Sequence, residues 1–356
     1  MTRWTRRGVL AAGLAAGASA PGWAQASCAA APEGALTRWV MWPDLPLRTQ
    51  EIYPGVLDGT IYLAGGLSPD AAPDALNILD TLFIFETRGA DGACAGPGGA
   101  WREGARLPEP RHHPNLVGHG DRVFAIGGFH ASQGGRWGML ANTTAYDPAA
   151  DSWTEMAPMP APYGETVAAS LNGAIHLATG RQPNGEANSE WTDHGDRAAH
   201  YVYDPAEDRW REAAPNPTPR NSAAGAVLDG RLHVVGGRRV NAGNNTEHEA
   251  YDPATDSWES RAPLPQGQGG LAAAAAGGLL YAFGGEFFGP DGGGVYPQCW
   301  IYDPQADAWS AGPDMRTPRH GLGGVSIDGV VYAIAGATAA GGNGTSTLVE
   351  ALIPSR

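Results

Sequence analysis

Three arginines recur at one position of a repeated pattern. Arg111, Arg220 and Arg319 each follow a tryptophan by ten residues. A guanidinium can bind a carboxylate or a phosphate through two parallel hydrogen bonds. Because equal spacing places residues equivalently in a repeated fold, we expect these side chains to converge and to hold an anionic group. A structural interpretation stays open at each site, in which the arginine only hydrogen-bonds neighbouring loops.

Other polar side chains lie in the same loops or in the loops that follow paired glycines. The full set of candidate ligand-binding residues is Arg48, Arg111, His112, Tyr163, Arg181, Arg220, Asn221, Arg238, Arg319 and His320. Glu165 and Glu286 stand beside arginines and are candidates for acid–base catalysis. The histidines are scattered and lack the spacing of a metal site, so we expect no metal and no other cofactor.

The pattern behind these positions is a two-part repeat. The first part is Tyr-Asp-Pro followed by a tryptophan seven residues after the tyrosine, at Tyr146, Tyr203, Tyr251 and Tyr302. The second part is an apolar run that ends in a glycine pair, as in residues 281–285, with weaker copies at 177–180 and 334–336. The last glycines stand at positions 66, 128, 180, 237, 285 and 336. A period near fifty residues with strand-like content indicates an array of β-sheet blades.

The repeat resembles the kelch repeat, whose family fold is a β-propeller. The resemblance implies an all-β fold of six four-stranded blades over the mature chain. The final copy has no tryptophan, whereas Trp39 precedes the first copy. We therefore predict that residues 35–41 form the outer strand of the sixth blade and close the ring. Strand alternation places the turns after each tryptophan and the loops after each glycine pair on one face, the Arg/His-rich mouth.

The N-terminus predicts export. Residues 1–26 contain paired arginines, an apolar segment and a small-residue cleavage site, which resemble a twin-arginine leader; an ordinary secretory signal is the alternative. Residues 27–356 are then a single propeller that is periplasmic or secreted. The net charge is −14, and such an acidic surface makes nucleic acid an unsuitable partner. No further segment is apolar enough to span a membrane, and we expect a monomer.

Three cysteines remain after the predicted cleavage. Cys94 lies in a long insertion of the first repeat, and Cys28 precedes the strand that closes the ring. Strand alternation puts both on the face opposite the mouth, so we predict a Cys28–Cys94 disulfide. Cys299 is predicted to be a buried thiol.

The leading functional hypothesis is an exported propeller that binds a polar ligand, either anionic or a carbohydrate, or a protein partner at the mouth. A first alternative is a sugar epimerase or mutarotase that resembles N-acetylneuraminate epimerase, with Glu165 or Glu286 as acid or base. A second alternative, a copper radical oxidase resembling galactose oxidase, needs a Tyr–Cys pair for which only Cys299 is conceivable. A third is a scaffold whose rim contacts other proteins.

Overall fold

The computed structural model describes residues 35–72, 76–87, 99–290 and 292–353. These residues form six four-stranded antiparallel sheets, each built from consecutive strands except the last. We number the sheets blade 1 to blade 6 and give their strands from the innermost to the outermost. Blade 1 contains Gly55–Leu57, Thr60–Ala64, Leu82–Glu86 and Arg102–Gly104. Blade 2 contains Asn115–His119, Arg122–Ile126, Thr143–Asp147 and Ser152–Met156. Blade 3 contains Val167–Leu171, Ala174–Pro183, His194–Asp204 and Arg209–Glu212.

The second half of the ring repeats this arrangement. Blade 4 contains Ala224–Leu228, Arg231–Val235, His248–Asp252 and Ser257–Ser260. Blade 5 contains Ala272–Ala276, Leu279–Phe283, Cys299–Asp303 and Ala308–Ala311. Blade 6 contains Gly323–Ile327, Val330–Ile334, Val349–Ile353 and, from the other end of the chain, Arg38–Trp42. Three loop hairpins are formed by Phe129–Ser132 with Gly135–Met139, Arg238–Arg239 with Gly243–Asn244, and Glu286–Gly289 with Gly292–Val295, and one 3-10 helix spans Trp191–Asp193.

The ring closes between the two ends of the chain, as predicted. Arg38–Trp42 pairs antiparallel with Val349–Ile353, and Trp39 lies opposite Leu352. The all-β, six-bladed propeller with this closure is therefore confirmed. Through this closure the N-terminal strand completes blade 6, and each blade packs between two neighbours.

The glycine pair is required by backbone geometry. Gly128 adopts φ 92°, and a Cβ atom there would lie 2.6 Å from the carbonyl oxygen of His112. In the weaker copies, Thr179 and Ala335 keep the left-handed conformation, each with φ 51°. The backbone conformation is thus kept where glycine is replaced. The strain energy of a left-handed residue with a side chain must then be offset by the surrounding packing.

Four of the six seams between blades are held by the same set of bonds. At the seam of blades 3 and 4, the Trp258 indole donates to the Ala214 carbonyl at 2.8 Å, and Asp256 accepts from the Ala214 backbone N–H at 2.9 Å. The Tyr251 hydroxyl donates to the same Asp256 carboxylate at 2.8 Å. The equivalent seams use Tyr146, Asp151, Trp153 and Ala105; Tyr203, Asp208, Trp210 and Ala157; and Tyr302, Asp307, Trp309 and Ala262.

The two seams that flank the closing blade lack half of this set. Trp39 donates to the Pro313 carbonyl at 2.9 Å, and Trp101 donates to the Pro43 carbonyl at 3.0 Å. Proline has no backbone N–H, so no aspartate can accept from it. The tyrosine position is correspondingly occupied by Leu352, opposite Trp39. The indole hydrogen bond is therefore common to all six seams. The tyrosine and the aspartate occur only at the seams where the residue that accepts from the indole also has a backbone N–H to donate.

Two histidine pairs are buried at the seams of blades 3, 4 and 5. His176 Nδ1 lies 3.0 Å from His200 Nε2, and His233 Nδ1 lies 2.8 Å from His248 Nε2. The second ring of each pair packs edge-on against the tyrosine of the next blade. Burial lowers the pKa of His176, His200 and His233 to about 4, and that of His248 to about 3. These rings are therefore neutral in the folded protein at neutral pH.

Cys299 is a free and buried thiol, as predicted, and burial raises its pKa to about 12. The predicted leader of residues 1–26, Cys28 and Cys94 lie outside the described residues, so the disulfide remains a prediction. Among the described residues, no helix has the length and apolar character needed to cross a membrane.

Candidate functional site

The mouth is built around six equivalent residues, one from each blade, which we call the axial positions. They are Glu51, His113, Glu165, Ser222, Gly270 and Gly321, and their φ angles range from 51° to 68°. Four of them have side chains in the left-handed region, which costs each residue on the order of 1 kcal/mol or more. Such strain is often found at functional sites. Here the strained axial residues of blades 1, 2 and 3 are ionisable.

A belt of backbone hydrogen bonds connects most of the axial positions. The N–H of His113 donates to Glu51, and that of Glu51 donates to Gly321, at 2.9 and 2.7 Å. Gly321 in turn donates to Gly270 at 3.0 Å, and Gly270 donates to Ser222 at 2.9 Å. Within the described residues no equivalent bond joins Glu165 to its neighbours. The belt is therefore open at blade 3.

His113 lies between two carboxylates at the axis. Its Nε2 atom is 2.7 Å from Glu51 Oε2 and 4.0 Å from Glu165 Oε1. On its other side, His113 Nδ1 is 2.7 Å from Nδ1 of His112, whose Nε2 is 2.7 Å from the carbonyl oxygen of Arg136. A carbonyl only accepts, so His112 must donate through Nε2 and accept through Nδ1. His113 then donates to His112 through Nδ1 and faces Glu51 Oε2 through Nε2.

Electrostatics favour the ionised form of Glu51. Burial by itself would raise the pKa of Glu51, but its interactions with His113, including a hydrogen bond, and with His320 and Arg238 hold it well below its usual range. Burial lowers the pKa of His112 to about 3, in agreement with its neutral role in the chain of bonds. Glu51 is thus held as a carboxylate beside His113.

Glu165 is the carboxylate with unused hydrogen-bonding capacity. Its side chain is only 4% exposed, and its Oε2 atom has no hydrogen-bond partner. The nearest guanidinium nitrogen, NH1 of Arg181, is 3.9 Å away and is itself without a partner. Arg181 is instead stacked on the Trp191 ring, 4.2 Å from its centroid, and donates to the Trp191 carbonyl at 2.7 Å. A buried carboxylate oxygen without a donor is costly unless a ligand or water supplies one.

Glu286 is fully engaged, in contrast to Glu165. Its Oε1 atom accepts from Arg238 NH1 at 2.6 Å, and its Oε2 atom accepts from the Gly341 backbone at 2.8 Å. His320 Nδ1 is 3.4 Å from the same Oε2 atom, while His320 Nε2 is 2.9 Å from the Gly341 carbonyl. Glu286 therefore anchors Arg238 and the loop of blade 6, and it has little capacity left for a ligand.

A cavity of about 590 Å³ opens beside Glu165 over blades 2 to 5, and we call it the inner cleft. Its lining residues are Trp137, Glu165, Trp191, Asn221, Arg238, Arg239, Val240, Asn241, Gly243, Asn244, Glu286, Phe287, Phe288 and Tyr296. Phe287 and Trp191 are 40% and 39% exposed, and Phe288 is 65% exposed. The combination of aromatic walls with a few buried polar groups is typical of small-molecule sites of this size.

The predicted ring of arginines does not lie at the mouth, which corrects the expectation that Arg111, Arg220 and Arg319 converge on a ligand. All three are 0% exposed. Arg220 donates to Glu249 at 2.5 Å and Arg319 to Glu350 at 3.2 Å, while Arg111 donates to the Gly127 carbonyl at 3.4 Å. The three arginine side chains therefore lie inside their own blades. The residue that reaches the axis stands two positions after each arginine.

The remaining candidates divide between the cleft and the scaffold. Asn221, Arg238, Glu165 and Glu286 line the inner cleft together. Tyr163 is buried and donates to the Ala199 carbonyl at 3.1 Å, and Arg48 forms an exposed ion pair with Asp70. His112, His320 and Arg181 are buried next to the cleft and contact its lining residues Trp137, Glu286 and Trp191 respectively.

Sequence reasoning missed the axial role of Glu51 and the aromatic walls of the cleft. Glu51 stands six residues after Leu45, as His113 does after Leu107 and Glu165 after Met159. Aligning the turns on that apolar residue would have identified the axial positions. No repeated signal marks Trp137, Trp191 or Phe288, because each lies in a loop that occurs once.

No three histidines, cysteines, aspartates or glutamates are grouped as metal ligands in the part of the chain that the structure describes. Cys299 belongs to a core cluster between blades and does not lie at the mouth.

Comparison with known proteins agrees with the repeat pattern. A model of the kelch motif matches residues 269–316. The chain contains a kelch motif. The chain is 31% identical to mouse Kelch-like protein 35 over 235 residues, which is 56% of this chain and 37% of that protein. It is 26% identical to beta-scruin of Limulus polyphemus over 186 residues, 52% of this chain and 19% of that protein. The matches thus span less than half of the length of these kelch relatives.

A solved structure, that of YjhT, superimposes with a TM-score of 0.73 and covers 88% of this chain and 97% of its own. Sequence identity is 16%, so this likeness concerns the fold alone. Together the comparisons support a β-propeller that contains a kelch motif.

Proposed function

We propose that this kelch propeller is an exported protein that binds a carbohydrate in the inner cleft. The observation that carries the proposal is a cavity of about 590 Å³ with aromatic side chains on its walls and a buried carboxylate, Glu165, that has a free oxygen. Sugars present C–H faces to aromatic rings and hydroxyl donors to carboxylates. Both kinds of group are present in the cleft.

The charges of the cleft favour a neutral sugar over an anionic one. Arg238 is paired with Glu286 at 2.6 Å, and Arg239 is paired with Glu247 at 3.0 Å. Neither guanidinium is free to bind a ligand carboxylate without breaking its ion pair. Glu165 has a carboxylate oxygen without a hydrogen-bond partner, with Arg181 NH1 3.9 Å away, and a carboxylate accepts a hydroxyl and repels an anion.

A thermal-shift screen of neutral and acidic monosaccharides tests this proposal. Neutral sugars are expected to raise the Tm of the wild-type protein, because a ligand that binds only the folded state stabilises it. The effect is expected to disappear in Glu165→Gln combined with Trp191→Ala. Arg48→Ala is the matched control, since Arg48 is exposed and remote from the cleft. Failure of every sugar to shift the Tm would contradict the proposal and favour a protein partner.

A second candidate function, a sugar epimerase or mutarotase, is favoured by one observation. His113 and Glu165 place an imidazole and a carboxylate side by side at the axis, with His113 Nε2 4.0 Å from Glu165 Oε1. Acid–base chemistry on a sugar needs such a pair. Following the optical rotation of freshly dissolved sugars with wild type and Glu165→Gln distinguishes catalysis from simple binding.

A further inference from the structure

A second cavity lies next to the inner cleft, and we call it the outer cavity. It has a volume of about 410 Å³ and is lined by Leu76, Asn77, Gly134, Gly135, Arg136, Trp137 and Glu190. These residues come from the loop of blade 1, the hairpin of blade 2 and the loop of blade 3. The outer cavity is not part of the site described above.

The two cavities are neighbours that share one wall residue. Trp137 lines both of them, and the consecutive residues Glu190 and Trp191 line one each. The Trp137 backbone donates to the Ser189 carbonyl at 3.2 Å, which joins the blade 2 hairpin to the blade 3 loop. The mouth therefore holds two adjacent cavities between blade 5 and blade 1, and we call the two together the groove.

The middle of this groove is rigid. The Trp137 ring contacts the His112 and Phe129 rings, with centroids 4.9 and 5.2 Å apart. Asp193 accepts from the backbones of Ser189 and Glu190, each at 2.9 Å, and so fixes the loop. A rigid aromatic ring that faces two cavities can stack with a ligand that passes from one to the other without a large loss of side-chain entropy.

The outer cavity is lined by polar and charged groups, of which the Glu190 side chain also caps the 3-10 helix at Trp191–Asp193. Arg136 and Glu190 are exposed, and neither forms an ion pair within the described residues. Asn77 adds an amide, and Gly134 and Gly135 add backbone. Leu76 is the single aliphatic side chain of this lining, so the cavity offers no apolar pocket that would select a peptide side chain. Donors and acceptors beside an aromatic platform match the hydroxyls of a further sugar unit.

We infer that the groove binds an oligosaccharide, with one unit in the inner cleft and further units across Trp137 in the outer cavity. This inference rests on the proposed carbohydrate ligand and extends it from a single sugar to a chain. Each added unit contributes contacts without a second loss of translational freedom, so affinity rises with chain length until the outer cavity is filled.

Calorimetric titration of a length series tests the inference. The probes are glucose, its β-1,4-linked dimer and tetramer, and the matching N-acetylglucosamine series. The tetramer of the accepted sugar is expected to bind at least tenfold more tightly than the monomer. Arg136→Ala combined with Glu190→Gln is expected to reduce the tetramer to the affinity of the monomer and to leave the monomer unchanged. Both side chains are exposed, so these substitutions do not remove core packing.

The outcomes separate the two proposals. Equal affinity for monomer and tetramer would overturn the oligosaccharide inference and leave the proposed function standing. Absence of binding by every sugar would overturn the proposed function and the inference with it. Tight binding of a peptide pool that is lost in the Arg136→Ala, Glu190→Gln variant would assign the outer cavity to a protein segment instead.

Discussion

The seams between blades and the mouth use repetition in opposite ways. At four seams the same tyrosine, aspartate and tryptophan form the same bonds, as Tyr251, Asp256 and Trp258 do with Ala214. At the mouth, six equivalent backbone positions with the same left-handed φ hold glutamate, histidine, serine or glycine. Repetition therefore fixes the blades and the seams between them, which we call the frame. The function depends on the residues that differ between the repeats.

The contrast is clearest between two arginines of blade 4. Arg220 is 0% exposed and bonded to Glu249 inside the blade, whereas Arg238 lines the inner cleft and is bonded to Glu286 of the next blade. The first belongs to the frame and the second to the site. Substitutions in the frame should change stability, and substitutions at the mouth should change binding.

Removing the frame arginine should have the largest effect on stability. Arg220→Ala leaves the Glu249 carboxylate buried without its partner, which costs about 3–5 kcal/mol. Equilibrium urea unfolding measures the loss. Arg48→Ala is the control, because its exposed ion pair with Asp70 contributes less than about 1 kcal/mol. Similar losses in the two variants would show that Arg220 has no special role in the frame.

Acidification should weaken the seams that contain histidine pairs. The pKa values of His233 and His248 are lowered to about 4 and about 3 by burial, so the unfolded chain takes up protons before the folded one. Stability is then full above pH ~6.5, the usual pKa of histidine, and falls as the pH drops towards the folded values. The loss from pH 7 to pH 5 is on the order of 2 kcal/mol for each histidine.

Urea unfolding across this pH range gives the measurement. A His233→Leu, His248→Leu variant should show a flatter dependence on pH than the wild type, whatever its stability at pH 7. An unchanged slope in this variant would mean that other groups control the acid sensitivity.

Removing one indole donor should have a smaller effect. Trp258→Phe keeps the aromatic packing but leaves the Ala214 carbonyl without its 2.8 Å hydrogen bond, at a cost of about 1 kcal/mol. Trp39→Phe should cost the same, because its bond to Pro313 is equivalent. A much larger loss for Trp39→Phe in thermal unfolding would show that the closing seam carries more of the stability than the repeated ones.

The smallest effect on stability is expected at the mouth itself. Glu165 forms no hydrogen bond through Oε2, so Glu165→Gln should change the free energy of unfolding by less than about 1 kcal/mol. Its affinity for a bound sugar should fall at least tenfold in calorimetry. Glu249→Gln is the matched substitution in the frame, and it should lower stability and leave sugar affinity unchanged. The reverse pattern would contradict the division into frame and site.

The fold could be predicted from the sequence because its signals repeat. Glycine pairs, Tyr-Asp-Pro turns and tryptophans recur because every blade packs against its neighbours in a similar way. Even the closing strand around Trp39 followed from the half-repeat missing at the other end.

The site could be predicted only in part, for a physical reason. Asn221, Arg238, Glu165 and Glu286 were found because they lie in loops at the mouth. Arg111, Arg220 and Arg319 were placed there by equal spacing, but equal spacing in a propeller is evidence of a shared structural role. Each of these arginines stands two residues before an axial position, at His113, Ser222 or Gly321, and its side chain lies inside the blade, which sequence spacing does not show.

A crystal structure of the protein soaked with its tightest-binding sugar tests the central claim most directly. We expect a sugar ring against Trp191 or Phe287 in the inner cleft, with a hydroxyl within about 3 Å of the Glu165 carboxylate. A sugar bound elsewhere, such as the cavity of about 280 Å³ lined by Asp58, Asp121 and Asp147 on the opposite face, would contradict it.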